Sequence, residues 1–210
     1  MNKKDYILEI IDRLKKEYPK PVCSLDYNDS WKLLVSLRLA AQCTDARVNV
    51  VVNDLYKVFP TVDALADGNV EDIEKIVRPC GLGNSKAKDI KAFMTMLRDK
   101  FDYRVPDTME ELLTLPGVGR KSANLILGDI FGKPAIVTDT HCIRLSNRLG
   151  LVKNEKDPYK VEKALRKIVP PEEGNDLCHR FVDHGRAVCS ARSAPKCEIC
   201  VLNEICKKYI

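Results

Sequence analysis

Short apolar runs at helical spacing, each opened by a capping residue and closed by proline or glycine, follow one another along almost the whole chain. From Lys4 to Glu17, Ile7, Leu8, Ile11 and Leu14 share one helical face, and Pro19 and Pro21 end the run. Asn28-Asp29-Ser30 offers a cap for a helix from Trp31 to Gln42, and Thr44 or Asp45 offers one for a helix to about Val58. Pro60-Thr61 starts a short helix to Ala66, and Asn69 opens another to Val77 that Pro79-Cys80-Gly81 closes. Asn84-Ser85 begins a lysine-rich helix to about Lys100, and Asp107 caps one to Leu113. Leu115-Pro116-Gly117-Val118-Gly119 is a tight turn into a helix from Arg120 to Phe131, which Gly132-Lys133-Pro134 breaks. Asp139 caps a helix to Leu149, and Asp157-Pro158 opens one to Val169 with proline at the first helical position. A last long helix covers about Glu173 to Ala187. Ala135-Ile136-Val137 is too short to found a sheet, so the chain is expected to be all-α, made of many short helices.

Composition narrows the class without naming an activity. A chain of 210 residues suffices for one domain or two small ones and needs no disulfide staples. No apolar run approaches the roughly 18 residues of a membrane span, and Met1-Asn2-Lys3-Lys4-Asp5-Tyr6 lacks the apolar block of a signal peptide. A cytoplasmic setting is therefore expected. The net charge of +5 permits a nucleic-acid partner but does not demand one.

Of nine cysteines, Cys23, Cys43, Cys80, Cys142 and Cys178 are scattered, and in a reducing compartment they read as free thiols acting as small hydrophobes. The other four crowd the C-terminus as Cys189-x7-Cys197-x2-Cys200-x5-Cys206. Four thiolates can hold zinc or an iron–sulfur cluster. Zinc ribbons usually show two Cys-x-x-Cys pairs and here there is one, which mildly favours a cluster.

The Leu115–Gly119 turn carries chemistry of its own. Its glycines allow positive φ and close approach to a ligand. The helix that follows points its free N–H groups and positive dipole end out of the turn, which makes an anion site suited to a DNA phosphate. A plain helix–helix connector remains the alternative. Lys121 falls in the first turn of that helix. There the dipole, the neighbouring Arg120 and burial would all lower its pKa towards the neutral amine that a nucleophile requires. The other reading is a solvated lysine on a basic face. Asp139 is the nearest good carboxylate, and capping a helix does not prevent it from presenting charge to a pocket.

Taken together, several segments resemble the helix-hairpin-helix DNA glycosylases of the endonuclease III type. They are Leu115-Pro116-Gly117-Val118-Gly119-Arg120-Lys121-Ser122-Ala123-Asn124, Thr138-Asp139-Thr140-His141 with Arg144, Asn147 and Arg148, and His184-Gly185-Arg186 ahead of the four cysteines. Upstream, Ala40-Ala41-Gln42-Cys43-Thr44-Asp45 and Gly81-Leu82-Gly83-Asn84-Ser85-Lys86-Ala87 match in order, so the likeness spans essentially the whole chain.

The resemblance implies a two-domain fold. A helical domain over 23–133 would carry the hairpin, and residues 1–22 with 134–210 would form an iron–sulfur domain. A pocket between them would have Lys121 and Asp139 on opposite walls. It implies a bifunctional enzyme of base excision repair that removes oxidised pyrimidines from duplex DNA and then cleaves the abasic site by β-elimination.

In that reading Lys121 attacks C1′ and forms a Schiff base, while Asp139 stabilises positive charge on the sugar. Gly117, Val118 and Gly119 hold a phosphate with Arg120 beside them. Gln42 fills the hole left by a flipped base and Leu82 wedges the opposite strand. Cys189, Cys197, Cys200 and Cys206 carry a [4Fe-4S] cluster in a loop whose Arg192 and Lys196, with Arg186 ahead of it, lie on phosphates. The partner is double-stranded DNA with damaged bases or abasic sites, met by a monomer near the nucleoid of a bacterial or archaeal cell. His141 and His184 read as packing or supporting residues.

The first cysteine gap is one residue longer than in the best-known members. Ala40, Cys43, Gly83 and Asp183 also depart from the commoner pattern. A monofunctional adenine or mismatched-thymine glycosylase would lack the lysine, and a non-enzymatic cluster-bearing DNA-binding module would need only the hairpin and the cysteines.

Overall fold

The computed structural model describes residues 2–208. Among them the regular structure consists of eleven α-helices and three short 3-10 turns, with no strand. The chain divides into two compact units, Ser24–Phe131 and Met1–Cys23 together with Gly132–Ile210.

The unit Ser24–Phe131 is built around two helices. α2 (Ser30–Ala40) buries Leu33, Leu34, Val35, Leu37 and Leu39 on nearly all sides, the mark of an interior helix. It is followed by α3 (Asp45–Val58), α4 (Val62–Asp67), α5 (Val70–Val77) and α6 (Gly83–Phe101). α6 buries Ala87, Ile90, Phe93, Met94 and Leu97 completely, at the 3–4-residue spacing of one face, and that face packs on α4 and α5. α7 (Met109–Leu112) and α8 (Arg120–Asp129) close the unit.

Capping threonines start three of these helices. Thr44, Thr61 and Thr108 accept from the backbone N–H of Arg47, Ala64 and Glu111. The cap of α7 is thus Thr108 and not Asp107: its hydroxyl accepts from the Glu111 N–H at 3.3 Å and donates to Glu111 Oε2 at 2.8 Å. α6 starts at Gly83, ahead of the expected Asn84-Ser85, and enters through Leu82 with φ +52 and no side-chain cap.

In the other unit α1 (Lys3–Glu17) is capped by Asn2, whose Oδ1 accepts from the amides of Lys4 and Asp5 at 2.9 Å. α1 buries Tyr6, Ile7, Ile10, Ile11 and Leu14. Leu8, expected on that face, is 48% exposed, and Ile10 takes its place. α9 (Thr140–Arg148), α10 (Pro158–Leu165) and α11 (Gly174–Ala187) complete the unit, with α11 packing on α9 and α1. α10 stops at Leu165, and the residues to Val169 continue as turns. The two ends of the chain are stitched together here. Tyr6 donates its hydroxyl to the carbonyls of Leu149 (2.9 Å) and Ile205 (3.0 Å), and Arg13 donates to that of Val201 (3.1 Å).

Candidate active site

The segment Leu115–Val118 is a type II turn. Pro116 fixes the first central position, Gly117 supplies φ +73 at the second, and the Val118 N–H donates to the Leu115 carbonyl at 3.1 Å. Gly117 is required twice over. A Cβ there would lie 2.6 Å from Arg38 Nε and 2.8 Å from Asp89 Oδ2. Those two side chains form an ion pair at 2.7 Å beneath the turn, with Arg38 also donating to Ser85 Oγ at 3.1 Å. Gly117→Ala is therefore expected to lower stability by about 1–3 kcal/mol, read by urea denaturation; an unchanged unfolding midpoint would contradict this strain. At Gly119 a Cβ would meet nothing within 4 Å, so the backbone is open to solvent where α8 begins.

Lys121 is the second residue of α8, after Arg120. The sequence predicted burial as one cause of a neutral amine, but the side chain is exposed. Asp139 lies in the other unit and caps α9 as expected, its Oδ1 accepting from the Cys142 N–H at 2.7 Å.

Gln42 and Leu82 share a conformation that residue type does not announce. Their φ values are +59 and +52, in the left-handed region that side chains avoid. Gln42 is exposed just past the end of α2, not inside it as expected, and Leu82 is 58% exposed ahead of α6. Strained backbone that presents exposed side chains is typical of functional loops.

Cys189, Cys197, Cys200 and Cys206 are half-buried and line one small cavity with Arg148, Val188 and Pro195. Among the described residues no three Cys, His, Asp or Glu side chains converge closely enough to hold a single ion. Four thiols lining one cavity are a donor set that a four-iron cluster takes. Arg186, Arg192 and Lys196 are exposed. Of the scattered cysteines, Cys80, Cys142 and Cys178 are buried, while Cys23 and Cys43 are only half-buried. His184 is buried beside Tyr18 and Cys200, and desolvation pulls its pKa down to about 4.

Residues 35–171 match the family described as HhH-GPD superfamily base excision DNA repair protein. The endonuclease III of Synechocystis sp. is 46% identical over 206 residues, covering 98% of this chain and 93% of that protein. The endonuclease III of Haemophilus influenzae is 39% identical, covering 99% and 97%. The chain belongs to the endonuclease III family. A solved endonuclease III, trapped as a covalent intermediate on DNA in an estranged-adenine complex, superposes with a TM-score of 0.92 at 39% identity, covering 99% of this chain and 97% of that one. A thermostable thymine-DNA glycosylase, at 22% identity and a TM-score of 0.83, shares the fold alone.

Three features of this endonuclease III family member were not assigned a role from sequence. Arg144 and Arg148 hold the cysteine loop, donating to the Cys189 carbonyl at 3.1–3.3 Å, and Arg148 also donates to Cys189 Sγ at 3.2 Å. Arg38 and Asp89 underlie the hairpin. Lys86 is fully buried. Its signal was present in the phase of α6, where it falls on the face of Ile90, Phe93 and Leu97. A cleft of about 1030 Å3 is rimmed by Lys3, Arg144, Arg148, Lys153 and Lys156 in the unit that holds Asp139. Neither predicted catalytic side chain lines it.

Proposed function

We propose that this protein removes oxidised pyrimidines from duplex DNA and then cleaves the strand at the abasic site, with Lys121 as attacking amine and Asp139 as its carboxylate. The protein is a base excision repair glycosylase and lyase acting on DNA. The observation that carries the finer reading is the near full-length likeness to an endonuclease III caught in a covalent intermediate on DNA.

The chemistry follows from the residues. The Lys121 amine adds to C1′ as the glycosidic bond breaks and the base leaves with a proton. The lysine nitrogen then gives up its proton and the C1′–O4′ bond breaks, with O4′ taking a proton, which leaves an open-chain Schiff base. The Schiff base acidifies the C2′ proton, and loss of that proton expels the 3′ oxygen with its phosphate, cutting the strand. Hydrolysis then frees the lysine. The Asp139 carboxylate offsets positive charge on the sugar while the base departs. Flipping costs on the order of a few kcal/mol, least for a damaged and poorly stacked base. Gln42 and Leu82 offset part of that by filling the stack and wedging the other strand. The Gly117 and Gly119 amides hold a phosphate without reading sequence, while the Val118 N–H, expected to join them, stays with the Leu115 carbonyl inside the turn.

Arg120, Arg186, Arg192 and Lys196 supply the charge. If each meets one phosphate, log affinity falls against log salt with a slope of roughly −3.6. Fluorescence anisotropy across a salt series tests this. The double variant Arg192→Ala, Lys196→Ala is expected to flatten the slope by about 1.8, and an unchanged slope would remove these side chains from the interface.

Cys189, Cys197, Cys200 and Cys206 would hold a [4Fe-4S] cluster. When bound, it cross-links the C-terminal loop and leaves the bond-breaking to Lys121 and Asp139. The purified protein is expected to be brown with four irons per chain, and Cys200→Ser to lose the colour. A colourless protein holding one zinc would contradict the assignment.

No helix among the described residues is long and apolar enough to cross a membrane. In this reading the protein works as a monomer in the cell interior, where its DNA lies.

A further inference from the structure

Lys86 heads the fully buried side chains by size. It sits on the packed face of α6, where an apolar residue would cost less, and burial pulls its pKa below the usual lysine value. Each of its three ammonium protons goes to a backbone carbonyl: Leu39 at 2.8 Å, Ala41 at 2.8 Å and Cys80 at 2.7 Å. Two of these acceptors lie at the C-terminal end of α2, where carbonyls have no intrahelical partner. The third belongs to the 3-10 turn Arg78–Cys80.

The placement of these acceptors is informative. Ala41 immediately precedes Gln42, and Cys80 stands two residues before Leu82. One ammonium therefore fastens together the two backbone segments that carry the left-handed residues Gln42 and Leu82. The Cys43 and Cys80 side chains also lie close together between the same two segments. Non-glycine residues stay left-handed only where their surroundings over-determine the backbone, and this clasp does so for both loops at once.

We infer that Lys86 is a positioning residue that locks the Gln42 and Leu82 loops into one unit, so that the two side chains enter a duplex together. The inference rests on the reading of Gln42 and Leu82 as the residues that fill and wedge the opened stack. With the clasp in place the ordering cost is met during folding and not again on each encounter with DNA. Without it each loop relaxes, and opening of the duplex slows. The chemistry of Lys121 on a sugar that is already unstacked does not change.

Lys86→Met separates these steps. Excision of thymine glycol from a duplex is expected to fall about 10–100-fold. Cleavage of an abasic site in single-stranded DNA, which offers no stack to fill and no opposite strand to wedge, is expected to stay within about twofold. Lys86→Arg, which keeps donors at this point, should recover part of the duplex activity. An equal loss on both substrates, or no loss on either, would overturn the inference.

A second measurement uses the native clasp and does not depend on whether Lys86→Met folds. Gln42→Ala, Leu82→Ala and the double variant are compared on the duplex. Residues acting as one unit predict a double variant scarcely slower than the worse single variant, and multiplying losses would contradict the clasp. If Gln42→Ala and Leu82→Ala each leave duplex excision intact, the underlying reading of the two loops fails. If they impair it while Lys86→Met does not, only the clasp fails.

Discussion

Lys121→Gln is expected to bind damaged duplex DNA with near-native affinity and to lose strand cleavage by on the order of 10^4-fold or more. The size of the effect follows from the role. A glutamine amide cannot form a Schiff base, so both the covalent intermediate and the elimination that depends on it disappear. The substitution is clean because the side chain is exposed at the start of α8. Surface changes of this kind usually alter stability by less than about 0.5 kcal/mol. Loss of activity with an unchanged urea midpoint therefore isolates the chemistry. A Lys121→Gln protein that still nicked abasic DNA at the native rate would assign the amine elsewhere.

Asp139→Asn is expected to slow base excision by roughly 10^2–10^4-fold while leaving the fold almost untouched. Asp139 has a structural duty that must be kept apart from its charge. Its Oδ1 caps α9 by accepting from the Cys142 N–H at 2.7 Å. Asparagine caps a helix about as well as aspartate, so Asp139→Asn retains the hydrogen bond and removes only the negative charge. Asp139→Ala removes both and should lose about 1 kcal/mol of stability in addition. Single-turnover excision and urea denaturation, run on both variants, separate the two roles. Equal activity in Asp139→Asn and the native protein would leave Asp139 as a cap and nothing more.

The helical architecture was legible because it is written locally. Thr44, Thr61, Asp139 and Asp157 each cap where their own side chains dictate. What could not be read was set by distant partners. Leu82 looks like an ordinary apolar residue, yet it is left-handed and exposed beside a backbone carbonyl that Lys86 holds from the next helix. The phase of α6 puts Lys86 on the packed face, but the three carbonyls that accept from it come from distant segments that only the fold brings together. Gly117 was legible as a turn glycine. That its open face rests on the Arg38–Asp89 ion pair was not, because those residues lie far from it in sequence. The exposure of Lys121 shows the same limit, since burial is a property of the whole fold and not of the motif.

Sodium borohydride added during turnover on abasic duplex DNA reduces any Schiff base to a stable amine, and digestion followed by mass spectrometry locates it. A single cross-linked peptide bearing the deoxyribose remnant on Lys121 is expected, absent from Lys121→Gln. A cross-link on another lysine, or strand cleavage that proceeds with no trappable adduct, would contradict it.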